Sequence, residues 1–251
     1  MVIKRIIPCL DVFQGKTVKG INFINLKEIG NPVEMGQYYS NEGADELVYL
    51  DISATQEGRK TFVSLVKQVA DKLKIPFTVG GGISTLQDAA ILLDSGADKV
   101  SINSSALSNP SIIEKIASLY GSQFVVVAID AKLEDGIWRV KSRGGTKESG
   151  YELFEWASQA QERGAGEILF TSINHDGTKK GFALDALAKL NSILSIPVIA
   201  SGGAGTMEHF KEVFENGHVS AALAASVFHN KEILIRDLKN YLISNKIEVR
   251  I

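Results

Sequence analysis

The sequence predicts a (β/α)8 barrel on three observations: its length, a repeated alternation of short Ile/Val-rich runs with amphipathic stretches, and an internal repeat at a nearly fixed offset. The chain has 251 residues, 45% of them hydrophobic, enough to bury a large core. That rules out a small disulfide-stapled scaffold and a disordered chain.

The strands are read near 5–10, 46–51, 76–80, 98–102, 124–130, 167–172, 197–201 and 221–225. Helices are expected near 32–43, 59–74, 84–95, 109–120, 150–164, 183–194, 206–216 and 230–245. Ser84 supplies a capping residue for the third helix, and Asn109-Pro110 puts proline at the first position of the fourth. A doubly wound sheet fits the same alternation, and the repeat decides against it. Glu42-Gly43-Ala44-Asp45-Glu46-Leu47-Val48 resembles Arg163-Gly164-Ala165-Gly166-Glu167-Ile168-Leu169, and PFTVGGGIST from Pro76 resembles PVIASGGAGT from Pro197, each pair 121 residues apart. Gly96 and Gly217, and Ser105 and Ser226, keep that offset; Asp11 and Asp130 are displaced by 119. The expectation is one barrel domain over 1–251, made of two fused half-barrels, about 1–121 and 122–251.

Two connections are longer than the rest. Residues 12–31 follow the first strand; residues 131–149 follow the fifth, with Asp135-Gly136 and alternating residues beyond it signalling a hairpin. Both lie on the C-terminal face, where such barrels place their active sites.

Charge limits the partners. With 27 Lys+Arg against 29 Asp+Glu, the net charge of −2 offers no global field to hold nucleic acid or an anionic membrane. The single cysteine, Cys9, suits a reducing compartment, and the longest strongly apolar run, Phe124 to Ile129, is far short of a membrane span. No export signal is read at the N-terminus, and a soluble cytoplasmic protein is expected.

The residues able to do chemistry cluster at strand ends. Asp11 closes the first strand and Asp130 the fifth, on opposite sides of one mouth, where two carboxylates can divide acid and base roles. A lone strand-end aspartate more often braces a loop; the symmetric placement favours chemistry, and Asp51 at the end of strand two is open to either reading. Gly80-Gly81-Gly82 ends strand three and Gly202-Gly203-Ala204-Gly205 ends strand seven, next to Asn103-Ser104-Ser105 and Ala225-Ser226. Bare backbone amides near a helix start bind phosphate without Lys or Arg. Finding the device twice, half a barrel apart, predicts a ligand with two phosphates. Lys19 in the first long loop is placed to reach over such a ligand, unless it is an ordinary solvated lysine. Asp176 is placed to bind a ribose hydroxyl, and Gly177 a phosphate. Cys9 reads as barrel packing, and the four histidines show no metal-ligand spacing; neither metal nor cofactor is expected. At the other end, Arg5, Glu46, Lys99 and Glu167 begin strands one, two, four and six. They are either scattered surface charges or, if they point inward, a mutually paired ring across the floor that would serve as a gate.

Pro8-Cys9-Leu10-Asp11, Val18-Lys19-Gly20, Gly80-Gly81-Gly82-Ile83, Asp98-Lys99-Val100-Ser101-Ile102-Asn103, Ala128-Ile129-Asp130, Asp176-Gly177-Thr178 and Ser201-Gly202-Gly203-Ala204-Gly205 together resemble the cyclase subunit family of imidazole glycerol phosphate synthase, over essentially the whole chain. The resemblance implies a lyase of histidine biosynthesis. Such an enzyme takes ammonia from a glutaminase partner and converts phosphoribulosyl-formimino-aminoimidazole carboxamide ribonucleotide into imidazole glycerol phosphate and aminoimidazole carboxamide ribonucleotide. It further implies Asp11 and Asp130 as the acid/base pair, Lys19 on a closing loop, one phosphate near Gly82, Asn103 and Ser104, and the other near Gly177, Gly203, Ala225 and Ser226. The four-charge ring becomes the ammonia gate, on the face where the glutaminase docks to form a heterodimer. The chain departs from the family pattern at His218-Val219-Ser220, where one residue is inserted and the register of strand eight is open, and at the variable stretch Arg143-Gly144-Gly145-Thr146. The rival readings are the sister isomerase of the same pathway, also a duplicated barrel with two phosphate sites, and a non-catalytic bisphosphate-binding barrel.

Overall fold

The computed structural model describes residues 3–21, 24–52 and 63–251. In chain order the first strands are β1 (Arg5–Phe13), β2 (Lys16–Ile21), β3 (Ile24–Gly30), β4 (Leu47–Asp51), β5 (Phe77–Gly80) and β6 (Lys99–Ile102). They are followed by β7 (Val125–Glu134), β8 (Ile137–Ser142), β9 (Lys147–Glu152), β10 (Glu167–Ser172), β11 (Val198–Ser201) and β12 (Ala221–Ala224). The helices are α1 (Pro32–Asn41), α2 (Val63–Ala70), α3 (Leu86–Asp94), α4 (Ser104–Ser108) and α5 (Ser111–Tyr120). After them come α6 (Leu153–Glu162), α7 (Leu184–Ile193), α8 (Met207–Glu215), α9 (Ser226–His229) and α10 (Ile235–Ser244).

Eight parallel strands close the ring in the order β1, β4, β5, β6, β7, β10, β11, β12. β12 returns to β1 with Arg5 opposite Ala221, and β7 meets β10 with Asp130 opposite Thr171. This is the expected (β/α)8 barrel. Four steps around the ring separate β1 from β7, so Asp11 and Asp130 face each other across the mouth.

Two helix starts at the 121-residue spacing share their local geometry. Thr85 and Thr206, 121 residues apart, cap α3 and α8 with nearly identical backbone angles, φ −134° and −133°, and each closes a reciprocal capping box, with Asp88 and His209 respectively. The cap of α3 is therefore Thr85 rather than the expected Ser84, which instead donates to Asp88 Oδ2 through its amide and hydroxyl at 3.0 and 3.1 Å. Pro110 likewise stands one position earlier than expected, as the residue preceding α5.

The two long connections are more ordered than the sequence suggests. β1 runs on to Phe13 and pairs with β2, which pairs with β3, within the 12–31 segment. After β7, the expected hairpin gains a third strand, so α6 begins only at Leu153 rather than near 150. The expected helix over 59–74 is seen as α2; its first residues, 59–62, lie outside the described residues. In the turn before strand eight, whose register the sequence leaves open, His218 takes the left-handed region with φ +56°. Ser220 then donates to the Val198 carbonyl at 3.0 Å and β12 enters in register.

The core has two layers. The larger lies between strands and helices and includes Trp156, Tyr49, Phe170 and Phe210. The smaller fills the barrel itself: Ile7, Cys9, Val48, Val126, Leu169, Ile199, Ala221 and Leu223. At the floor, Asp45 accepts from the Ile6 amide at 2.8 Å and pairs with the buried Lys239 of α10 at 2.9 Å, tying the last helix to the first strand. No helix among the described residues is long and apolar enough to cross a membrane.

Candidate active site

Strand periodicity builds the site. Side chains alternate along a strand, so Arg5, Ile7, Cys9 and Asp11 all project to the face that lines the barrel, as do Val126, Ala128 and Asp130 on β7 and Glu167, Leu169 and Thr171 on β10. A charged floor, an apolar middle and a pair of carboxylates at the mouth therefore follow one another through a single interior.

Both carboxylates are tuned toward neutrality. Burial raises Asp11 to about 6, against the opposing charge of Lys19, whose Nζ stands 3.9 Å from Asp11 Oδ2, and with help from Asp176. Burial likewise raises Asp130 to about 6, helped by Asp176 and opposed by hydrogen bonds from Asn103 and Thr171. Asn103 Nδ2 donates to Asp130 Oδ2 at 2.9 Å. Asp176 thus acts electrostatically on both aspartates. A carboxyl poised near 6 can hold or give up a proton near neutrality, which an ordinary surface aspartate cannot. Burial and Asp11 push the Cys9 thiol up, so it remains a packing residue rather than a nucleophile.

The glycine turns are forced by close backbone approach. Gly81 and Gly82 have φ +106° and +67°, and Gly202 and Gly203 have +87° and +109°. A Cβ at Gly81 would collide with the Asp51 carbonyl, and one at Gly203 with the Gly181 carbonyl. Asp51, buried at the end of β4, is thereby packed under the first turn. Ser104 opens α4 and Ser226 opens α9, and among the described residues no side chain caps the first-turn amides of either helix. These helices have only five and four residues, so bare amides rather than a macrodipole characterise both places. Gly177, at φ +73°, lies in the turn after β10, whose Asp176 amide donates to the Ser172 carbonyl at 2.9 Å. That turn is joined to the second glycine turn through Gly181, which donates to the Gly203 carbonyl at 2.8 Å.

At the floor, Arg5, Glu46, Lys99 and Glu167 form a closed ring. Arg5 contacts Glu46 at 2.6 Å and also Glu167, and Lys99 contacts each glutamate at 3.0 Å. Burial alone would raise Glu46, but Arg5 and Lys99 outweigh it and hold the carboxylate below its ordinary range. The four charges are thus an inward, mutually paired set, not scattered surface groups.

Comparison with known proteins bears on what such a barrel is for. A family model described as histidine biosynthesis protein matches residues 5–234. Over 251 residues and the full length of both chains, the protein is 63% identical to imidazole glycerol phosphate synthase subunit HisF of Parabacteroides distasonis and 59% identical to that of Flavobacterium psychrophilum. It is 59% identical over 250 residues, again covering both chains fully, to the HisF subunit of Elusimicrobium minutum. The chain belongs to the histidine biosynthesis protein family.

Within this family member, three site residues escape a reading of the sequence. Thr171 reaches Asp130 only because β10 closes against β7 in that register. His229 and Tyr39, distant in sequence, meet at 2.6 Å through His229 Nδ1 and the Tyr39 hydroxyl, while His229 Nε2 lies 2.9 Å from the Cys9 carbonyl. That carbonyl can only accept, so Nε2 carries a proton, and in the neutral ring Nδ1 accepts from the Tyr39 hydroxyl. Burial, with the Lys19 charge, lowers His229 to about 4. It is a strut between α9, α1 and the strand carrying Asp11.

Proposed function

We propose that this chain is the cyclase subunit of imidazole glycerol phosphate synthase and that Asp11 and Asp130 perform its acid/base chemistry. The observation that carries the reading is the single barrel interior that leads from the Arg5–Glu46–Lys99–Glu167 ring, through apolar side chains, to two opposed carboxyls near 6. A glutaminase docks at the N-terminal face, over the ring. Ammonia passing through the apolar middle reaches the mouth without the protonation that bulk water imposes. The ring is the gate, and this function distinguishes the chain from the sister isomerase, which needs no second substrate through the floor.

At the mouth the substrate, phosphoribulosyl-formimino-aminoimidazole carboxamide ribonucleotide, lies across the barrel. One phosphate rests on Gly82, Asn103 and Ser104, the other on Gly177, Gly203, Ala225 and Ser226. Lys19 closes over it, Asp176 takes a ribose hydroxyl, and Asp51 braces the first glycine turn. Asn103 Oδ1 is buried with no partner among the described residues, an acceptor left for a substrate N–H or O–H. With one aspartate protonated and the other ionised, a proton is delivered and another removed during ring closure and cleavage, yielding imidazole glycerol phosphate and aminoimidazole carboxamide ribonucleotide. The chain works as one barrel domain of two fused halves, in the cytoplasm, where its free Cys9 stays reduced.

The test is turnover of that substrate with ammonium salt at alkaline pH, then with glutamine and the glutaminase. Imidazole product is expected in both. No product with ammonia from pure, folded protein would overturn the assignment.

A further inference from the structure

We infer that Arg143 is a further phosphate-binding residue, delivering its guanidinium to the anion held at Ser104; the inference rests on the first phosphate place proposed above. Three observations carry it. The Arg143 amide donates to Ser104 Oγ at 3.0 Å, so the hydroxyl accepts from the protein and keeps its own proton to donate elsewhere. Arg143 stands in the left-handed region at φ +54°, followed by Gly144 and Gly145 at +63° and +83°. A bulky residue there is disfavoured, and the position is held by the Ser104 contact and by Thr146, whose hydroxyl donates to the Arg143 carbonyl at 2.8 Å. With both backbone groups engaged, only the side chain is free.

Arg143 is exposed, and its guanidinium has no ion-pair partner among the described residues. Charges nearby are committed elsewhere: Lys141, on the same hairpin, is bound to Glu134 at 2.7 Å and to Glu148, and Lys179, beside the second phosphate place, is bound to Glu232 at 2.6 Å. Gly82, Asn103 and Ser104 bring no cation of their own. An arginine anchored through its backbone to Ser104 supplies that charge with a planar donor fork suited to phosphate, and side-chain rotation alone delivers it.

Steady-state kinetics with the bisphosphate substrate and saturating ammonia test this. Arg143→Gln is expected to raise KM about tenfold with kcat changed less than about twofold, the effect of losing one charge-assisted contact made equally in ground and transition states. Arg143→Lys should recover part of the loss, and inorganic phosphate, as a competitive inhibitor, should weaken in parallel in Arg143→Gln. Ser104→Asp, which puts a carboxylate where the phosphate is proposed, separates the two layers of the argument. A raised KM in Ser104→Asp with an unchanged KM in Arg143→Gln would overturn the role of Arg143 alone. An unchanged KM in Ser104→Asp would overturn the phosphate place and Arg143 with it.

Discussion

Asn103 donates from Nδ2 to Asp130 Oδ2 at 2.9 Å, joining the end of β6 to the carboxyl on the neighbouring strand. The bond favours the ionised form and partly offsets the burial that raises Asp130 to about 6. Asn103→Ala is therefore expected to move the titration of Asp130 upward. Carboxyl carbon chemical shifts followed against pH would show it, and a downward movement would contradict the assignment of the bond.

Asp11→Asn and Asp130→Asn should each reduce ammonia-dependent turnover by about 10²–10⁴-fold, the usual cost of a lost acid or base. Each should also make the protein more stable at pH 7.5. Both carboxyls bind protons more tightly folded than unfolded, so their contribution to stability is fully present below about 4 and is lost as pH rises through about 6. The asparagine variants escape that loss, worth up to about 3 kcal/mol per site. Thermal melts at pH 7.5 and 4 would test this, with the advantage of the variants expected to vanish at the lower pH.

His229 works in the opposite direction. Its proton affinity is lower folded than unfolded, so its contribution to stability is present above about 6.5 and is lost as pH falls toward about 4. Removing the ring leaves the Tyr39 hydroxyl and Cys9 carbonyl unpaired. His229→Ala is expected to cost about 1–3 kcal/mol at pH 7.5 and less at pH 5. Urea denaturation at the two pH values measures both; an equal cost at each would show that the ring does not titrate in this window.

Lys99→Met leaves Glu46 and Glu167 sharing Arg5 alone. Part of the ring is shielded from water, so the change should destabilise the barrel by about 1–3 kcal/mol. If the ring gates ammonia, the ratio of glutamine-dependent to ammonia-dependent rate should shift in this variant. An unchanged ratio in the assembled complex would remove the gate role.

Much of this barrel is determined by sequence alone. Alternation along single strands places Arg5, Cys9 and Asp11 on one face, and the 121-residue repeat places two glycine turns half a barrel apart, because strand period and steric demand are local properties. Tertiary structure decided what depends on closure. Whether Arg5, Glu46, Lys99 and Glu167 meet, whether Thr171 reaches Asp130, and whether His229 bridges Tyr39 to Cys9 are set by which strands become neighbours and in what register. The hairpin behind β7 shows the same division. Asp135-Gly136 announces a turn, but the contact between Arg143 and Ser104 exists only because the hairpin folds back over the mouth. Burial is likewise a property of the closed barrel: it raises two ordinary aspartates to about 6, a change of environment that no residue carries in its own identity.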